Sequence, residues 1–125
     1  MLQLVEIKKG VYWVGAVDWT VRFFHGHTYS TPRGTTYNAY LIVDEKIALV
    51  DTVLSSFGPE MLAKIRKIVD PSKIDYVIAN HVETDHSGAL PELMKLCPKA
   101  KVIGTQNCKE GLYKNYYGNW DFQVV

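Results

Sequence analysis

Apolar and polar positions alternate along the first fifty residues in a way that is typical of strands. The first segment is rich in β-forming residues and is broken at Lys9-Gly10, so it predicts a hairpin of residues 4–8 and 11–16. Residues 35–43 predict a further strand, which turns back and returns as residues 47–50. Residues 18–33 combine aromatics, two histidines and a Ser-Thr-Pro-Arg-Gly run, and this predicts a long loop.

The pattern changes in the second half, where short apolar runs alternate with helical periodicity. A helix is predicted over residues 59–69 because its apolar residues recur at i, i+3 and i+4; these are Met61, Leu62, Ile65 and Ile68. The other predicted elements are strands at 74–79, 101–104 and 120–125, and helices at 89–96 and 106–116. Hairpins followed by a strand–helix alternation predict a layered α/β domain with a mixed sheet, at least one face of which is covered by helices.

Composition narrows the class of protein. The chain has 125 residues, of which 47% are apolar and 22% charged, as expected for one soluble domain. The formal net charge of +1 gives no electrostatic reason to expect nucleic acid or an anionic membrane as a partner. We see neither a secretory signal nor an apolar run near the ~20 residues that span a bilayer. The two cysteines, Cys97 and Cys108, are therefore expected to stay reduced in a cytoplasmic protein.

Candidate chemistry is concentrated in the run His81-Val-Glu83-Thr-Asp85-His86, which directly follows a predicted buried strand. If this run is extended, His81, Glu83 and Asp85 point to one side and His86 to the other, so that the loop could serve two metal ions. Two imidazoles with two carboxylates suit iron or manganese at least as well as zinc. A solvated loop whose histidines pair with nearby acids is the alternative interpretation.

The same run resembles the metal loop of the metallo-β-lactamase superfamily, His-x-His-x-Asp-His, with Glu83 in place of the second histidine. In that form it is similar to the flavodiiron proteins, also called A-type flavoproteins. Other stretches carry the same resemblance along nearly the whole chain. They are Gly10-Val-Tyr-Trp-Val-Gly-Ala-Val-Asp-Trp, His25, Arg33-Gly-Thr-Thr-Tyr-Asn-Ala-Tyr-Leu-Ile and Ala48-Leu-Val-Asp51-Thr.

The resemblance implies a fold and a reaction. The fold would be part of an αββα sandwich, and the reaction the reduction of dioxygen to water or of nitric oxide to nitrous oxide at a non-haem di-iron site. Electrons would arrive through FMN on a flavodoxin-like domain, from a donor such as rubredoxin. Carried over, His81 and Glu83 would bind one iron, and Asp85 the other, with His86 as its partner. A carboxylate at Glu83 would favour the ferric state.

The chain departs from the family's pattern after the loop. The family uses a further histidine, a bridging aspartate and a last histidine, yet no histidine follows His86, and Asp121 comes too early to be the bridge. No FMN domain is expected within residues 1–125, which we interpret as a single partial domain holding about half of the sandwich. Alone, it is predicted to bind iron weakly or not at all and to be inactive. The alternatives are a zinc-dependent hydrolase, against which Glu83 argues, and a non-catalytic association fragment.

Two further residues could support such a site. His25, in the predicted long loop, could donate a proton or hydrogen bond in the metal pocket, or could be a surface histidine. Asp51, at the end of a strand, could orient a metal-binding histidine, or could cap a turn. An aromatic cluster near the end of the chain is expected to be exposed; it comprises Tyr113, Tyr116, Tyr117 and Trp120. This exposure predicts self-association or a second polypeptide that completes the domain.

Overall fold

One large sheet dominates the computed structural model, which describes residues 2–24 and 29–125. The described strands are β1 (Val5–Lys8), β2 (Val11–Trp13), β3 (Ala16–Asp18), β4 (Phe23–Phe24), β5 (Tyr29–Ser30), β6 (Thr35–Tyr37), β7 (Tyr40–Val43), β8 (Ile47–Val50), β9 (Tyr76–Ile78), β10 (Lys101–Gly104) and β11 (Phe122–Val124). The described helices are α1 (Gly58–Arg66), α2 (Thr84–Ser87), α3 (Leu90–Leu96) and α4 (Gln106–Tyr116), with 3-10 turns at Ser55–Phe57 and Pro71–Lys73.

The large sheet joins seven of the described strands in the order β1-β2-β7-β8-β9-β10-β11. Neighbours from β1 to β8 are antiparallel, whereas β8, β9, β10 and β11 run parallel to one another. The predicted mixed sheet is therefore confirmed, and β8 is the strand at which hairpin pairing gives way to crossover pairing. Short turns join β1 to β2 and β7 to β8, while each parallel neighbour requires a helical crossover.

The helices cover one face of this sheet. Leu41, Leu49, Val77 and Val102 stand opposite one another on β7 to β10, and none is more than 1% exposed. Right-handed crossovers that advance in one direction place α1, α3 and α4 on a single face. The apolar residues that these helices bury against the row are Met61, Ile65, Leu90, Leu93 and Leu112. The prediction of an α/β fold with helices on one face is thus confirmed.

Two predicted strands are wrong in extent, because each is divided between two sheets. Residues 11–16 contain β2 of the large sheet and only the first residue of β3, which belongs to a small sheet and continues to Asp18. Residues 35–43 are divided between β6 of the small sheet and β7 of the large one. β3 and β6 pair antiparallel outside the large sheet. The first crossing occurs at Gly15, where a Cβ would overlap the carbonyl oxygen of Tyr37. A glycine is therefore needed for this close approach of two backbones.

Other elements agree more closely with the predictions. α4 has the predicted bounds, Gln106–Tyr116, and begins at Thr105, whose Oγ1 accepts a hydrogen bond from the backbone N–H of Cys108. The predicted long loop contains the short antiparallel pair β4–β5, so it is not wholly irregular. Cys97 and Cys108 are buried free thiols, as expected. Among the described residues, no helix has both the length and the apolar content that crossing a membrane requires.

The aromatic residues near the end of the chain differ from the prediction of an exposed cluster. Tyr113, Tyr116 and Trp120 are half-buried, because Tyr113 stacks edge-on against Trp120 and Tyr116 packs against the core. Tyr117 is 92% exposed and has a left-handed backbone, with φ of 52°. The exposed large apolar residues described at this end are therefore Tyr117, Val124 and the terminal Val125, which is 74% exposed.

Candidate metal centre

The candidate metal loop begins at the carboxyl end of β9, directly beside the carboxyl end of β8. Val50 of β8 stands opposite Ile78 of β9, and the backbone N–H of Asp51 donates to the carbonyl oxygen of Ile78 at 2.8 Å. Carboxyl ends of neighbouring parallel strands are a common place for a binding site in α/β sheets. This register brings Asp51 within reach of a loop that follows it by about thirty residues.

Asp51 is a central hydrogen-bond acceptor of this region. It is 8% exposed, and its Oδ1 accepts the backbone N–H of Asn80 at 2.8 Å. Its Oδ2 lies 3.3 Å from Nδ1 of His86 and 3.5 Å from Nδ2 of Asn80. The Asp51 backbone is left-handed, with φ of 58°, a conformation that aspartate tolerates better than most residues. The strand end thus turns sharply and directs one carboxylate at both ends of the loop.

Thr52 fixes the loop at a second point. Its backbone N–H and its hydroxyl both donate to the carbonyl oxygen of His86, at 2.9 and 2.8 Å. Thr52 is 1% exposed, so these hydrogen bonds are shielded from water. His86 is consequently held through its ring by Asp51 and through its backbone by Thr52.

The four potential ligands come together as two neighbouring pairs. Nε2 of His81 lies 3.2 Å from Oε1 of Glu83, and Nε2 of His86 lies 3.5 Å from Oδ2 of Asp85. The rings of His81 and His86 meet edge-on with their centroids 5.1 Å apart, so the two pairs are adjacent. The side chains of His81 and Glu83 are each 49% exposed, whereas that of Asp85 is 18% exposed. The first pair is therefore open to solvent and the second is more enclosed.

The loop is not extended throughout, which corrects the geometry assumed from its sequence spacing. Glu83 is the last extended residue, with φ of −61° and ψ of 152°, and the single helical turn α2 begins at Thr84. Asp85 and His86 therefore lie on a helical turn rather than on alternate sides of a strand. The division into His81 with Glu83 and Asp85 with His86 follows from this change of conformation.

A buried hydrogen-bonded pair lies behind Asp85. The hydroxyl of Tyr37 donates to Oδ2 of Asp18 at 2.7 Å, and the hydroxyl of Thr20 donates to Oδ1 of Asp18 at 2.6 Å. Burial raises the pKa of the Tyr37 phenol well above its ordinary value, and the negative charges of Asp18 and Asp85 raise it further. Tyr37 thus keeps its proton and donates it within the fold. Sequence analysis did not identify this pair, since nothing local connects β3 with β6.

A metal ion fixes the distance between the atoms that bind it. Two ligands bound at about 2.1 Å and roughly at a right or tetrahedral angle lie roughly 3.0–3.4 Å apart. The separation of 3.2 Å between His81 and Glu83 meets this condition, and that of 3.5 Å between His86 and Asp85 nearly does. Among residues 2–24 and 29–125, no three histidine, cysteine or acidic side chains converge on one point. The residues present therefore fit two incomplete sites rather than one complete site.

The remaining residue singled out from the sequence, His25, lies outside the described residues. Conversely, the structure identifies three supporting residues that the sequence analysis did not: Thr52, Ser87 and Tyr116. Thr52 follows Asp51 directly, so its position after a strand was the available signal. Ser87 and Tyr116 meet across twenty-nine residues and could be found only from the fold.

Comparisons with known proteins identify the family and the fold. The model of the family described as ODP family beta lactamase matches residues 35–121, more than half of the chain. A nitric oxide reductase of Moorella thermoacetica is 57% identical over the whole chain, which covers 31% of that protein. The chain thus spans about a third of the length of this curated relative.

Two solved structures share the fold. The rubredoxin oxygen:oxidoreductase of Desulfovibrio gigas superposes with a TM-score of 0.92 and 43% identity, over 98% of this chain and 31% of that one. The flavodiiron protein of Giardia intestinalis gives a TM-score of 0.92 with 38% identity, over 100% of this chain and 30% of that one. The chain therefore belongs to the ODP family of β-lactamase-like domains, in the form found in flavodiiron proteins.

Proposed function

We propose that these 125 residues form part of a di-iron oxidoreductase that reduces dioxygen to water or nitric oxide to nitrous oxide. The observation that carries the proposal is the arrangement of four donor side chains as two adjacent pairs, His81 with Glu83 and Asp85 with His86. Each pair would supply part of the coordination of one iron. A further polypeptide segment would supply the other ligands, since two-metal sites need both ions fixed at a short separation.

The residues of this chain prepare the histidine of the second pair. Because a carboxylate can only accept, the hydrogen bond from His86 to Asp51 requires a proton on Nδ1. The ring would then present Nε2, which lies beside Asp85, to a metal ion. Two bound irons would supply the electron exchange with a diatomic substrate. The carboxylate of Glu83 would favour the oxidised metal more than a histidine in its place, as the resemblance to the flavodiiron proteins implies.

The proposed cofactor and electron donor are those that the resemblance to the longer relatives implies. FMN would bind outside these residues, on a flavodoxin-like domain, and a donor such as rubredoxin would supply the electrons. Residues 1–125 would then be a single partial domain, completed either by self-association or by a second polypeptide. The two buried free thiols support a reducing, cytoplasmic location.

Fragment complementation tests the proposal. The chain would be mixed, with ferrous iron and reduced flavin, with a polypeptide comprising the rest of the 57% identical Moorella relative. Oxygen or nitric oxide consumption should appear in the mixture, should be absent from the chain alone, and should be lost with Asp85→Asn. Rapid consumption by the 125-residue chain alone, or zinc as the metal that the active mixture requires, would refute it.

A further inference from the structure

Helix α4 packs directly against the metal loop. A Cβ built on Gly111 would lie 3.0 Å from Cγ1 of Val82, which is tighter than an ordinary contact. The thiol of Cys108 donates to the carbonyl oxygen of Ala79 at 3.4 Å, at the start of the loop. Since glycine lowers the stability of a helix interior, its presence at the point of contact favours a packing role for Gly111.

A chain of hydroxyl groups connects the last turn of α4 with the loop. Oγ of Ser87 lies 2.7 Å from the carbonyl oxygen of Val82, 3.0 Å from that of Glu83 and 2.8 Å from the hydroxyl oxygen of Tyr116. Carbonyl oxygens only accept, so the single proton of Ser87 is directed to them. Tyr116 must then be the donor to Ser87. Ser87 is 2% exposed, so water has little access to its hydroxyl.

These contacts complement those from β8. Thr52 holds the carbonyl oxygen of His86, near the end of α2, while Ser87 holds the carbonyl oxygens of Val82 and Glu83, just before α2. Both sides of the short helical turn are thereby fixed. The carbonyl oxygen of Glu83, whose side chain is one candidate ligand, also accepts the backbone N–H groups of His86 and Ser87, so the hydroxyl chain from α4 adds to the turn's own hydrogen bonds.

We propose that Tyr116 is a positioning residue for the metal loop, which acts through Ser87 on the backbone of Val82 and Glu83. The effect of Tyr116 on metal binding rests on the proposed function. Its restraint on the loop does not require metal. Loss of the Tyr116 hydroxyl would leave Ser87 without its donor and loosen the turn that separates the two ligand pairs.

The chain offers a matched control on the same helix. The hydroxyl of Tyr113 donates at 2.7 Å to the carbonyl oxygen of Trp120, a residue that is not part of the loop. Tyr116→Phe and Tyr113→Phe each remove one hydroxyl and one hydrogen bond. Hydrogen exchange would be followed in the metal-free chain at the amides of His86, Ser87 and Gly88, whose N–H groups bond within the loop. Tyr116→Phe should accelerate exchange there about two- to tenfold, and Tyr113→Phe less than about twofold.

A spectroscopic readout separates positioning from general stability. Co²⁺ alone would be titrated into both variants, whose free energies of unfolding should be similar. Weaker binding and an altered visible spectrum are expected for Tyr116→Phe alone. Selective acceleration of exchange without any Co²⁺ binding, even in the wild type, would support the positioning role, and the proposed metal site would then be decided by the complementation experiment. Equal exchange at the loop amides in the two variants would overturn the inference.

A second pair of variants tests the close approach of α4. Gly111→Ala should accelerate loop exchange, because its methyl group must displace Val82. Adding Val82→Ala removes the opposing methyl groups and should restore slow exchange. If Gly111→Ala leaves loop exchange unchanged, α4 does not constrain the loop and the inference is wrong.

Discussion

His86 and Asp51 are joined by a hydrogen bond of 3.3 Å between Nδ1 and Oδ2, although they lie thirty-five residues apart. The bond links the carboxyl ends of two neighbouring parallel strands. It also selects the tautomer of His86, since the carboxylate accepts the proton held on Nδ1. Orientation of a metal-binding histidine by a carboxylate is a general feature of metal sites, and its loss weakens binding substantially.

Asp51→Asn should therefore lower both the stability and the metal affinity of the chain. The amide cannot serve Asn80 and His86 as the carboxylate does, so the free energy of unfolding should fall by about 1–3 kcal/mol. Affinity for ferrous iron in the complemented site should fall roughly 10- to 100-fold. Urea unfolding and anaerobic iron titration measure the two effects. Because asparagine also tolerates a left-handed backbone, an Asp51→Gly comparison shows whether the side chain or the backbone matters.

Glu83→Gln should weaken iron binding without unfolding the protein. Glu83 is half-exposed, so the change in unfolding free energy should stay within about 0.5 kcal/mol, while iron affinity in the complemented site falls at least about tenfold. Glu92→Gln is the matched control, because Glu92 forms an exposed pair with Lys95 at 2.9 Å, away from the loop. Equal iron binding by the two variants would show that Glu83 is not a metal ligand.

Asp18 should contribute to the loss of stability in acid. Burial raises the pKa of its carboxyl, but the hydrogen bonds from Thr20 and Tyr37 outweigh burial and lower the pKa below the ordinary value. A carboxyl with a lowered pKa stabilises the fold above its unfolded pKa of about 4, and that stability is lost as the pH falls through the folded pKa. Asp18→Asn should flatten this decline in urea unfolding at a series of pH values, and Tyr37→Phe should flatten it partly. An unchanged slope in Asp18→Asn would contradict the assignment.

The two cysteines should resist thiol reagents while the chain is folded. Burial raises the pKa of the Cys97 thiol to about 11 and also raises that of Cys108. Both side chains are less than a tenth exposed, so thiolate is scarce and reagents have little access. Disulfide exchange with a chromogenic reagent at neutral pH should be slow in buffer and fast in denaturant. Rapid labelling of either cysteine in buffer would show that the fold opens locally.

Sedimentation should reveal a dimer or a larger assembly of the isolated chain. Trp19 is 66% exposed, Tyr117 is 92% exposed, and both are large aromatic residues. Replacing them together by serine should shift the sedimentation coefficient toward that of the monomer. A wild-type chain that sediments as a monomer at all concentrations would refute self-association.

The helices and the parallel strands were predictable because their signals are local. α4 illustrates this, since a capping Thr105 and a helical apolar period define it without reference to the rest of the chain. The division of residues 35–43 between two sheets was not predictable. Residues 35–43 contain no glycine or proline, and only Asn38 and Ala39, between β6 and β7, are poor β-formers. The partner of the first half, β3, comes from a distant segment.

The metal loop, too, was only partly predictable from the sequence. Its donor residues were recognisable in the sequence, but α2 was not, because four residues cannot sustain a helix on their own propensity. Contacts with Thr52 and Ser87 supply the stabilisation of α2 that its helix propensity does not. The assignment of each pair to an iron remains a prediction.

The change from antiparallel to parallel pairing at β8 also has a kinetic consequence. β7 and β8 can join early, since a short turn closes their hairpin, whereas β9 must wait until the segment containing α1 has been ordered. Asp51 reaches His86 only after that slower event. Formation of their hydrogen bond would therefore mark the pairing of β9 with β8, and a fluorophore or isotope label at His86 would report when the two halves of the sheet have joined.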